Sequence, residues 1–213
     1  MTSTGLPAPA APETTAVTIA RSPGEVDSRV TYVSFAAAYI LGHGTAAVSK
    51  GPDPLVAMPG WVPLAVLGTG LVVGSVNAGI AATRARRGAP APDARSGQLL
   101  GISWISAFVG VFLAVTGLTT SLGMPQLQDI LWPTVAGFVV GLLYLGEGAA
   151  RRNLLHYGLG TWLTLISTAA LFLGVPALLW VLAVAGGGGF AVAAFLERRR
   201  LATPAIRNRR PAS

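Results

Sequence analysis

Five long stretches of this chain carry no Asp, Glu, Lys or Arg: 30–49, 54–83, 96–128, 130–146 and 153–196. Soluble domains interleave charge throughout, because about a quarter of their residues are charged. Here the charged share is 11% against a hydrophobic share of 52%. Charge has been swept into the gaps between apolar runs, a pattern that makes lipid rather than water the solvent of most of the chain.

A hydrocarbon core about 30 Å thick takes about 20 helical residues at 1.5 Å each. The first four stretches therefore hold one helix apiece. The fifth has 44 residues and holds two, divided at "LGVPA" (173–177), where Gly174 and Pro176 end one helix and open the next. The expected fold class is all-α, a polytopic transmembrane bundle of six helices near 30–49, 62–83, 98–121, 129–148, 155–173 and 176–196. A disordered N-terminal tail (1–29) precedes the transmembrane domain (30–196), and a basic tail (197–213) follows it. The fourth stretch has 17 residues and spans only if Asp129 and Glu147 lie at the two interfaces. Thr31, Ser34, His43, Gly44, Thr45 and Ser49 dilute the first.

The basic residues fix an orientation. Of 15, only Lys50 falls on one side of a six-helix arrangement; the other 14 fall opposite. A positive-inside bias of that size places both termini in the cytoplasm of a bacterium with a multi-pass protein in its plasma membrane. The net charge of +7 thus reads as a topology anchor that attracts anionic lipid headgroups, and no nucleic-acid partner is expected. The N-terminus lacks a basic n-region followed by an apolar core, so it does not read as a cleavable signal peptide. Cysteine is absent, which removes disulfides, thiolate metal sites and thiol nucleophiles.

Two hairpins resemble each other: "LGMPQLQDILW" (122–132) parallels "LGVPALLW" (173–180), and Arg151 and Arg199 each lie 19 residues beyond their tryptophans. "AMPGWVP" (57–63) stands in a comparable place, so repeated helical hairpins are expected. The even helices carry glycines at close spacing, Gly70 with Gly74, Gly137 with Gly141, and the run Gly186 to Gly189. Glycine permits close backbone approach in lipid, so these are expected packing positions at which the even helices meet, within the chain or across a homo-oligomer or membrane complex.

Three polar residues stand out within the spans. His43, between Gly42 and Gly44, lies in the outer half, where its ring must face protein or water; it reads as a proton-accepting or solute-contacting group, as a neutral ring bonded to a neighbouring helix, or as a residue near the outer interface because the first span ends early. Asn77 needs an amide partner in the bundle. Glu147 precedes Arg151 by four residues, the favourable order for a helical ion pair. His156 falls near the cytoplasmic start of the fifth helix and is expected to be exposed. There is no G-x-S-x-G, H-E-x-x-H or Walker lysine, and no span holds a carboxylate pair, so no enzyme, cofactor or metal site is expected.

The segment "VGLLYLGEGAARRNLLHYGLGTWLTL" with "LLWVLAVAGGGGF", within residues 130–195, resembles a group of uncharacterised small six-span membrane proteins of actinobacteria, sometimes labelled permeases. The resemblance implies no substrate or catalytic residue. The asparagine-proline signature of the six-span acetate-uptake family is missing, and the loop "RARRGAPAPDARSG" (84–97), broken by Pro and Gly, lacks the coupling helix of a typical ABC permease. Two functions are expected: a small permease or channel-like subunit with His43, Asn77 and Glu147 as its polar lining, or a structural or regulatory membrane partner that docks a cytoplasmic protein through its basic face.

Overall fold

The computed structural model describes residues 26–87 and 89–202. Most of the expected N-terminal tail, residues 203–213 and the cations Arg21, Arg207, Arg209 and Arg210 lie outside the described residues.

The described residues form six helices and no strand. Helix α1 runs as an α-helix over Arg29–Ala37, a π-helical stretch over Ala38–His43 and a closing α-helix over Gly44–Ser49. Helix α2 covers Trp61–Arg87, α3 Ala91–Ser121, α4 Gln128–Ala150 and α5 Leu154–Ala170. Helix α6 begins over Ala177–Val181, passes through a second π-helical stretch at Leu182–Gly186 and continues over Gly187–Ala202.

Four of the six are long and apolar enough to cross a membrane: α2, α3, α4 with the 3-10 turn that leads into it (Pro125–Ala150), and α6. Helix α5, at 17 residues, is about 25 Å long, and α1 carries the polar residues that dilute its stretch. Both bury one face against neighbouring helices and leave the other exposed. Seven residues of α5 are buried, His156, Leu159, Gly160, Leu163, Ile166, Ser167 and Ala170, whereas α2 buries only Pro63 and Gly74. A helix with a large packed face depends on complementary neighbours as well as on a lipid-soluble surface.

Packing proceeds around the bundle in the order α2, α1, α6, α5, α4, α3, so that α2 and α3 are peripheral. Tyr32, Tyr39, Tyr144, Leu163 and Phe190 form one buried cluster, and Ala47, Ala170, Leu178 and Leu182 belong to another. Within the chain, Gly70, Gly74, Gly137, Gly141, Gly186 and Gly189 each face an odd helix rather than another even one, and Gly188 meets nothing within 4 Å. A Cβ added at Gly70 would lie 2.6 Å from Ala38 Cβ, one at Gly74 2.5 Å from the Phe35 ring, and one at Gly186 2.7 Å from the Tyr39 ring of α1. Gly137 and Gly141 sit against Ser167 and Thr164 of α5, and Gly189 against the Trp162 ring at 2.7 Å.

The loop 84–97, read from its composition as broken, is mostly helical: α2 continues through Arg87 and α3 starts at Ala91. Pro90 stands before α3 and Pro92 in its first turn, where a missing N–H costs nothing. Gly123 closes α3 at φ +62, with Met124 N–H bonded to Thr119 O at 3.0 Å. Arg152 takes the same place after α4 at φ 52, with Asn153 N–H bonded to Gly148 O at 2.8 Å. Both are left-handed helix ends, a position that usually holds glycine.

The charges separate by end. Lys50 pairs with Asp129 at the start of α4, and Gly51 lies beside Pro176. At the other end, Gly97 of α3 lies beside Arg86 and Arg151, and Arg200 of α6 reaches the Val26 carbonyl at 3.4 Å. We call these the Lys50 end and the basic end.

Candidate functional site

The turn between α4 and α5 builds the basic end. Asn153 caps α5 by accepting from the Leu155 and His156 backbone N–H groups at 3.1 and 3.2 Å. Its Oδ1 is thereby fixed as the acceptor, so its Nδ2, 3.1 Å from His156 Nδ1, is a donor. Nδ1 must then accept, its single lone pair shared between the Asn153 amide and the shorter contact from the Tyr32 hydroxyl, 2.7 Å away. These contacts assign His156 the tautomer protonated at Nε2. The ring is buried, contrary to the sequence expectation: the Tyr32 ring lies tilted against it at 5.6 Å and Tyr144 meets it edge-on at 5.1 Å. Proximity to a helix end suggested exposure, but α1 and α4 cover it.

Glu197, also at this end, is fully buried. Its carboxylate accepts from Arg200 Nε at 2.7 Å, from Arg200 Nη2 at 2.9 Å and from the Ser28 backbone N–H at 3.3 Å. The charge-assisted pair with Arg200 and the Ser28 bond compensate its desolvation. Tyr32 and Glu197 escaped the sequence reading, because no motif marks a tyrosine within an apolar stretch or a glutamate at the head of an arginine run.

The three residues singled out from the sequence occupy separate places. His43 is buried in the π-helical stretch of α1, its ring edge-on to Tyr39 at 4.9 Å. Asn77 Nδ2 donates to Ser34 Oγ across the α1–α2 contact at 3.3 Å. Glu147 pairs with Arg151 at 2.9 Å. Among the described residues no hydrogen bond or ion pair joins the three.

Beside the His156 cluster a cleft of about 1270 Å³ opens between α5 and α6. Arg151, Arg152, Asn153, His156 and Arg200 line it toward the basic end. Leu159, Trp162, Val184, Gly188 and Val192 line the remainder, and His43, Asn77 and Glu147 do not reach it. The described residues hold no grouping of three or more His, Asp or Glu suited to a metal ion. Compared with family models, with curated proteins and with solved structures, the chain gives no match.

Proposed function

We propose that the chain crosses the bacterial cytoplasmic membrane six times, with both termini in the cytoplasm, and acts as a membrane-embedded partner rather than a conduit. Its basic face would meet a cytoplasmic protein, and anionic lipid would hold that face at the membrane. The observation that carries the reading is the placement of polar groups: the buried Tyr32–His156 hydrogen bond and the buried Glu197–Arg200 pair both lie at the basic end, while His43, Asn77 and Glu147 have separate partners. A conduit needs polar groups that share one water-filled path. In this reading α1 and α5 also span, despite their modest length or polarity, and the second and third hairpins are repeats.

Transport of a small solute is the second reading. It is favoured by the two π-helical stretches of α1 and α6, which pack on each other with Tyr39 between them and His43 adjacent; such bulges recur at functional sites. Purified chain in liposomes separates the two. A partner leaves imposed proton and potassium gradients as durable as in empty vesicles. Gradient collapse that His43→Ala abolishes at unchanged thermal stability overturns the partner reading in favour of transport.

A further inference from the structure

We infer that the α5–α6 cleft is a binding site for one anionic glycerophospholipid of the basic leaflet, with its phosphodiester at the arginines and one acyl chain along the groove. This rests on the bilayer reading above.

Three features of the cleft select this occupant. The first is charge. Arg151, Arg152 and Arg200 line the basic end, Arg151 is paired with Glu147 and Arg200 with Glu197. Those five side chains leave one positive charge in excess, matching one phosphodiester. The second is depth. From Asn153 to Trp162 the α5 wall runs nine residues, about 14 Å, close to the half-thickness of a hydrocarbon core of about 30 Å. Polar lining gives way to apolar lining along that length, as headgroup gives way to chain. Trp162 Nε1 donates to Ala185 O at 2.8 Å and ties the two walls together at the deep end. The third is the flank. Leu154, Val184 and Val192 of the lining are themselves exposed at its mouth, a surface suited to lipid and not to a soluble solute.

Arg152 adds an energetic observation. It holds a left-handed backbone at φ 52, the position Gly123 fills after α3. A side chain there carries a backbone cost that glycine avoids.

The test uses the full chain purified in neutral detergent, with retained phosphatidylglycerol or phosphatidylcholine counted by native mass spectrometry. Wild type is expected to keep one phosphatidylglycerol at least about tenfold more strongly than phosphatidylcholine, as loss of a charge-assisted contact implies. Arg152→Gly removes the charge and relieves the backbone, so lipid retention should fall about tenfold while the thermal midpoint rises. Gly188→Leu projects into the groove from a position where an added Cβ meets nothing within 4 Å, so it should block the chain without disturbing the core. Equal retention of the two lipids by wild type, or undiminished phosphatidylglycerol in both variants, overturns the assignment. Release of the chain from native membranes by alkaline carbonate would instead defeat the bilayer reading itself.

Discussion

Gly141→Ala adds one methyl group where α4 and α5 run closest. The new Cβ would meet Thr164 Oγ1, lie 2.5 Å from the Thr164 backbone nitrogen and 2.9 Å from the Gly160 carbonyl oxygen. Unstrained contacts of carbon rest at about 3.5–4.0 Å, so the helices must part by about 1 Å. Overpacking of this kind costs about 1–3 kcal/mol, and backbone partners that cannot rotate away place it near the upper end. Alanine also gains about 1 kcal/mol of helix propensity over glycine, which masks part of the clash. Gly146→Ala on the same helix carries that gain alone, because its Cβ would meet nothing within 4 Å. The two variants should therefore differ by about 3 kcal/mol, or about 6–12 °C in thermal midpoint for a chain of this size. Tryptophan fluorescence during heating in detergent reads the difference. Midpoints that agree within about 2 °C would refute the close α4–α5 approach.

Tyr32→Phe removes a buried donor to His156 and should cost about 1–2 kcal/mol by the same thermal assay. In the wild type, nitrogen-15 spectra of the His156 ring should report the Nε2–H tautomer; an Nδ1–H signal contradicts the assigned network. Glu197→Gln keeps the shape but loses the charge facing Arg200, at a cost of about 1–3 kcal/mol, limited because Arg200 is 36% exposed and can turn to water. An unchanged midpoint would count against the buried pair. Lys50→Gln breaks an exposed pair with Asp129 and should cost less than about 1 kcal/mol, a difference that vanishes in high salt.

The apolar portions of the helices were legible because exclusion of charge from lipid writes itself into the sequence. Their ends were less so. Charge marks where the solvent changes, not where hydrogen bonding stops, and α2, α3 and α6 run on past the charge-free stretches through Arg87, from Ala91 and through Ala202. The glycines of α2, α4 and α6 announced close approach but not their partners, which only the folded arrangement of helices supplies. The π-helical stretches in α1 and α6 leave no mark on apolar periodicity over six and five residues. The site at the basic end was hidden for a different reason. His156 and Tyr32 lie 124 positions apart, and Ser28 and Glu197 lie 169 apart, so no local pattern joins them. Asn153 was the local signal that could have been read, an N-cap residue three places before a histidine.

Because the chain has no cysteine, a single introduced thiol reports one location without background. Asp53→Cys and Met124→Cys at the Lys50 end, and Ser96→Cys and Ala202→Cys at the basic end, all sit at exposed positions. With a membrane-impermeant maleimide, the first two should label in intact cells and the last two only after permeabilisation. Labelling of Ser96→Cys or Ala202→Cys in sealed cells, or protection of Asp53→Cys and Met124→Cys, would contradict six crossings with the basic end inside.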